Sequence, residues 1–125
     1  MIIFDTLDEL ESYKLAFDPI NTVIEVMDHS TPYEETPGEY PNPGKEKGVH
    51  IVDAHVSSAS GFMAPKMEGK KIVEICLEGE EMVNVDGSVF RLSPGRFLIY
   101  NGESDVKRAI MYSLPSAFKS VRFVF

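Results

Sequence analysis

Few side chains in this sequence are placed to do chemistry, and most of them fall on segments that alternate polar and apolar residues. Asp53 and His55 stand two positions apart in Val49-His50-Ile51-Val52-Asp53-Ala54-His55-Val56. Period-two alternation puts both on one face of a strand, with Val49 and Ile51. A carboxylate beside an imidazole orients the ring and raises its pKa, which is how a general acid/base is assembled. The competing reading makes this face the solvated one. Glu74 stands mid-strand between Val73 and Ile75. Inside a closed sheet it needs a partner, because burying an unpaired carboxylate is costly. Arg122, flanked by Val121 and Phe123, can supply that partner; facing outward, the two are ordinary surface charges. Tyr100, Arg108 and Tyr112 are further candidates for a polar pocket wall. Glu78, Glu80 and Glu81 surround a turn at Gly79 and read as a solvated acidic turn, although Glu81 opens a strand and can turn inward. Glu74 and His55 are thus the catalytic candidates. Arg122, Tyr100, Asp53 and Arg108 are the ligand-binding candidates.

Generic motifs are missing. There is no Gly-rich phosphate loop, no nucleophile elbow and no pair of histidines at metal spacing. The single cysteine, Cys76, excludes an internal disulfide and a Cys-based zinc site. It lies in an apolar run and reads as a buried, inert thiol. The expectation is no metal and no cofactor.

The elements that must position these residues begin with two helices. Thr6 and Glu9 form a capping-box pattern ahead of Leu7, Leu10, Tyr13 and Phe17. Asp18 and Pro19 suit the N-cap and first position of a second helix. Its Ile20, Val23, Ile24 and Met27 make one apolar stripe. His29 stands at its end, where a cation complements the helix dipole. Residues 30–48 hold four prolines and three glycines and read as a long polar loop, with Tyr33 and Tyr40 as packing anchors. Strands follow at 49–56, 71–77, 81–85, 88–92, 97–100, 106–112 and 119–125. Asp86-Gly87 is a strong two-residue hairpin signal between the third and fourth of them. Short strands at this spacing predict a mainly β barrel or sandwich, with the helices on one side. The 125 residues read as one domain: a helical segment 1–29, a loop 30–48 and a barrel 49–125.

Net charge is −8, with 43% hydrophobic and 26% charged residues. That sign opposes nucleic acid and anionic membrane as partners, since phosphate binding needs clustered Lys and Arg. No apolar run approaches the roughly 20 residues needed to cross a bilayer. Met1-Ile2-Ile3-Phe4-Asp5 lacks the flanks of a signal peptide. The expected place is the cytoplasm, and the expected partners are a small-molecule ligand and, through exposed sheet edges, a second copy of the chain.

Taken together, these segments resemble the YhcH/YjgK/YiaL family, which includes the small subunit of evolved β-galactosidase. The resemblance rests on Met1–Leu7, on Pro37-Gly38-Glu39-Tyr40, on Leu77-Glu78-Gly79-Glu80-Glu81, on Leu92, Gly95 and Phe97, and on the final strand 119–125. It implies a cupin-like β-barrel or jelly roll, often dimeric, linked to sugar catabolism, with sugar anomerase activity. It also implies histidine and carboxylate ligands just before the Leu77–Glu81 turn and after the Phe97 strand. The matching positions here are Pro65, Met67, Ile72 and Asp105 or Val106, with Ser120 at a family lysine and Arg122 two residues on. Pro65 and Ile72 offer no ligand, and Met67 only a soft thioether. The tight Asp86-Gly87 hairpin also replaces the family's usual insertion.

Two functions follow. One is metal-independent binding of a small polar ligand, such as a sugar or sugar acid, with isomerase or anomerase chemistry by resemblance. The other is a non-catalytic interaction or subunit module that has lost an ancestral site. A ligand pocket gathers polar side chains inside the barrel; an interaction module fills it with aliphatic and aromatic ones.

Overall fold

The computed structural model describes residues 1–29, 31–44, 48–109 and 115–125. The chain folds into three layers. Strand β1 (Ile3–Thr6) leads into a 3-10 helix (Leu7–Tyr13), helix α1 (Ile20–Asp28) and a one-turn helix α2 (Thr31–Glu34). Strands β2 (Gly38–Pro41), β3 (Val49–Ser57), β4 (Phe62–Met63) and β5 (Lys71–Glu78) follow, then β6 (Glu81–Val85), β7 (Ser88–Leu92), β8 (Arg96–Asn101), β9 (Val106–Ala109) and β10 (Ser116–Val124). They form a six-stranded sheet in the order β1-β8-β5-β10-β3-β2 and a four-stranded sheet in the order β4-β9-β6-β7. Every pairing is antiparallel among the described strands. The architecture is mainly β, as the alternating segments predict.

The larger sheet is covered on both faces. Val73, Ile75 and Leu77 of β5, Phe97 and Ile99 of β8, and Val121 and Phe123 of β10 face the helices, where they meet Leu10, Ile20, Val23 and Val26. The intervening residues Ile72, Cys76, Leu98, Tyr100, Phe118 and Val124 face the smaller sheet and pack on Val83, Val85, Leu92 and Val106. Two-sided burial explains why β5 and β8 carry nearly unbroken runs of buried residues. The predicted stripe of α1 is the one observed: Ile20 and Val23 are fully buried, and Ile24 and Met27 pack beside them. Burying a side chain of this size contributes about 1.5–3 kcal/mol. His29 caps the end of α1, its Nδ1 2.7 Å from the Glu25 carbonyl oxygen.

The amino-terminal expectation needs correction. Thr6 is extended and makes no side-chain cap. It ends β1, an edge strand paired with β8, and the segment after it is a 3-10 helix rather than an α-helix. The turn is pinned from outside: Leu7 N–H donates to the Gly95 carbonyl (2.9 Å) and the Tyr13 hydroxyl to Asp5 (2.7 Å). Helix α1 starts after Pro19, with no side-chain cap. The stretch 30–48 is not all loop. It contains α2 and β2, and β2 pairs with β3 along the edge of the large sheet, where Pro41 costs no internal ladder bond. Tyr40 packs as expected, stacked on His50 with ring centroids 5.5 Å apart; Tyr33 is largely exposed. Asp86 (φ 50°) and Gly87 (φ 95°) both take positive φ, the requirement of the predicted two-residue hairpin turn. Tyr112 and the end of the strand expected over 106–112 lie outside the described residues. Among the described residues no helix is long and apolar enough to cross a membrane.

Candidate functional site

Strand alternation carries five polar side chains into one cavity of about 290 Å³. Asp53 and His55 come from β3, Tyr100 from β8, Arg108 from β9 and Arg122 from β10. The face holding Val49 and Ile51 packs into the core between the sheets, so the Asp53/His55 face is the inner one and not the solvated one. The other face of β3 points to the helices. There His50 is buried, with Asn42 Oδ1 and Glu35 Oε1 each 2.7 Å from its ring nitrogens. His50 and His55 therefore serve different layers.

Apart from Arg122, the cavity's polar side chains belong to one connected network. Arg108 is fully buried and bridges two carboxylates: its Nη1 donates to Glu81 Oε1 at 2.8 Å and its Nη2 to Glu74 Oε1. The Tyr100 hydroxyl donates to the same Glu74 oxygen at 3.1 Å. Glu81 Oε2 accepts from His55 Nε2 (2.6 Å) and from the Ser57 hydroxyl. His55 Nδ1 meets Asp53 Oδ2 at 2.6 Å. A neutral imidazole has one N–H. With both carboxyls ionised, the two contacts on one ring are both hydrogen bonds only when the ring is an imidazolium. With His55 charged, three carboxylates (Asp53, Glu74, Glu81) balance three cations (His55, Arg108, Arg122).

The proton affinities follow from these contacts. Burial alone would lower the His55 pKa, but the hydrogen bonds to Glu81 and Asp53 outweigh it and hold the ring above its ordinary value. Burial would raise the Glu74 carboxyl; the Arg108 guanidinium beside it, helped by Arg122, keeps it below the usual range. Burial and the Glu74 charge push the Tyr100 phenol up. Burial, then Glu74, pushes the Cys76 thiol up to about 12, which suits the inert role expected of it.

The predicted residues are sorted by this geometry. Asp53, His55, Tyr100, Arg108 and Arg122 share the cavity wall, whereas Glu74 lies behind it, wholly buried. Arg122 does sit opposite Glu74 in the β10–β5 register, but the ion pair to Glu74 comes from Arg108. Arg122 is half-buried, and among the described residues it has no ion-pair partner. Sequence reasoning read Glu81 as part of a solvated turn while noting that it can turn inward, and it passed over Ser57. For Glu81 a signal existed: it alternates inward with Val83 and Val85, while Met82 and Asn84 are only half-buried.

The donor set does not suit the metal that the family resemblance implies. Both nitrogens of His55 are taken by carboxylates, and Glu81 and Glu74 are taken by Arg108. Pro65, Met67, Ile72 and Val106 do line the cavity, but none offers an imidazole or carboxylate. Among the described residues no group of three or more His, Cys, Asp or Glu is arranged to hold a metal ion.

No protein-family model matches the chain, and no curated protein matches it. Several solved structures are similar. The cupin domain of an XRE-family transcriptional regulator from Enterobacter cloacae is 18% identical with a TM-score of 0.49, over 60% of this chain and 79% of that one. A cupin protein from Bacteroides fragilis is 15% identical with a TM-score of 0.47, over 61% of this chain and 63% of its own. The Cnp3 cupin domain of Schizosaccharomyces pombe is 13% identical with a TM-score of 0.45, over 71% and 64%. Each of the three is a cupin or a cupin domain. These likenesses say nothing about what the cavity binds.

Proposed function

We propose that the cavity binds a small polar molecule with an anionic group, without a metal, and that Arg122 receives the anion. The observation that carries this reading is Arg122 itself: a half-buried guanidinium on the cavity wall with no ion-pair partner among the described residues, beside a network whose other cations are all paired. A charge held in this way is favourable where a ligand completes it. The cavity volume falls at the lower end of ligand pockets, about 300–1,000 Å³, which limits the ligand to roughly the size of one sugar ring. The resemblance to the YhcH/YjgK/YiaL family makes a sugar acid the class to try first.

Asp53 is the network's exposed end, with a third of its side chain accessible, against 18% for His55. It would be the carboxylate that meets a ligand hydroxyl, with His55 fixing its position and holding the exchangeable proton. Ring opening of a sugar removes the proton from the anomeric hydroxyl, breaks the bond from the anomeric carbon to the ring oxygen, and returns a proton to that oxygen. An Asp53–His55 couple can take the first proton and give back the second. A wholly apolar interior would have favoured an interaction module; this interior carries a buried ionic network instead.

Calorimetric titration of glucuronate into the protein and into Arg122→Ala tests the reading. Binding that weakens at least about tenfold in the variant, a loss of 1.4 kcal/mol or more, is expected. Equal binding by the two proteins would remove Arg122 as the anion contact.

A further inference from the structure

The two walls of the cavity come from different layers, and they differ in kind. Among the described residues the large sheet contributes Asp53, His55, Tyr100 and Arg122, with Ile72 as its apolar member. Facing it, the smaller sheet and the chain entering β5 contribute Phe62, Ala64, Pro65, Met67 and Val106. Among the described residues the one charged side chain on that side, Arg108, has both terminal nitrogens committed to Glu74 and Glu81. Phe62 stands at the rim, 42% exposed, with its ring perpendicular to the His55 imidazole at 5.1 Å. The chain here is fastened by backbone bonds from Ala64 N–H to the Val106 carbonyl and from Met67 N–H to the Gly102 carbonyl, each 2.8 Å.

From this segregation we infer that the ligand is two-faced: a small cyclic carboxylate whose polar groups lie along one side and whose other side is bare hydrocarbon. The inference rests on the reading of Arg122 given above and narrows it. Among the described residues, a molecule between the walls meets uncommitted side-chain donors and acceptors on the large-sheet side only. A hydroxyl turned to the Met67 and Val106 side loses its water and finds no partner there, which is unfavourable. A hydrocarbon face on that side removes apolar surface from water on both partners. A ring hydroxylated on every side therefore binds less tightly than one with a bare face, even with its carboxylate on Arg122.

Calorimetry with two probes of similar size decides the matter. Cyclohexanecarboxylate has a bare ring; glucuronate carries hydroxyls all round. Both are titrated into the full chain, into Arg122→Ala (or the longer Arg122→Gln if the first does not fold) and into Met67→Gln. The bare ring should bind at least about tenfold more tightly. Both probes should weaken in the Arg122 variant, and Met67→Gln should shrink the preference by weakening cyclohexanecarboxylate alone. Glucuronate binding as tightly as cyclohexanecarboxylate, and still through Arg122, would overturn the two-faced ligand and leave the anion site standing. Binding of neither probe, or binding indifferent to Arg122, would overturn both.

Discussion

Removing the Glu81 carboxylate should damage this protein more than any other change of equal size. The side chain is fully buried and accepts from Arg108, His55 and Ser57 at once. In Glu81→Ala the buried guanidinium keeps Glu74 alone, and His55 keeps Asp53 alone. Breaking a buried ion pair by deleting one partner costs about 3–5 kcal/mol. That is a large share of the roughly 5–15 kcal/mol that holds a small protein folded, and it corresponds to a Tm lowered by roughly 10–20 °C for a chain of this length. Glu81→Gln keeps the volume and an acceptor for Arg108 but removes the charge, so about 1.5–3 kcal/mol is expected. The pH dependence separates the two contributions. The folded pKa of His55 lies above its unfolded value of about 6.5. Its stabilisation is therefore complete below about pH 6.5 and disappears as pH rises through the folded pKa. The opposite sign holds for Glu74, whose lowered pKa gives stability above about pH 4.5 that is lost as acid titrates it. Urea unfolding of the three proteins between pH 5 and 9 should show a gap between wild type and Glu81→Gln that narrows with rising pH. A Glu81→Ala cost below about 1 kcal/mol, against the 3–5 expected of a buried pair, or a gap constant across the range, would refute the buried imidazolium network.

Two further outcomes are expected. Gly79→Ala should cost more than about 2 kcal/mol, because φ of +78° is strained for any L side chain and the new methyl would overlap the Ala117 carbonyl oxygen. Gly95→Ala, with φ of +86° and open space around it, should cost only the strain of about 1–2 kcal/mol; equal losses in urea titrations would count against the packing of the β5–β6 turn on β10. The Cys76 thiol, pushed up to about 12 by burial and Glu74, should resist a thiol reagent at pH 8 and react only as urea unfolds the chain. Rapid labelling of the native protein would place the residue at the surface.

What could be read from the sequence was what obeys a short period. Alternation placed Asp53 and His55 on one face, set Glu74 and Arg122 opposite the core-facing valines, and found the Asp86-Gly87 hairpin. The 3.6-residue stripe found α1. Most of the misses depend on partners on other strands. Strand β1 is four residues long and exists through its pairing with β8, more than 90 residues away. Strand β2 contains Pro41 and Gly38 and is held by β3. The Thr6–Glu9 pattern was outcompeted by sheet pairing. At the site, alternation showed that Glu74 needed a cation but not which one. Arg108 reaches it from the facing sheet, a layer relation that no spacing within one strand encodes. Glu81 was masked by its neighbours, since Glu78 and Glu80 made the whole turn look solvated.

Because the six-stranded sheet separates the helix-facing core from the layer that holds the Arg108 network, its central strands have no room for length variation. One residue added to or dropped from the middle of β10 would reverse the facing of everything beyond it, sending Val121 and Phe123 toward the charged residues and Arg122 among the helices. An inserted residue in β5 would do the same to Glu74. Insertions and deletions should therefore be purged from 71–78 and 116–124. Divergence of this chain is channelled into substitution within those strands rather than change in their length.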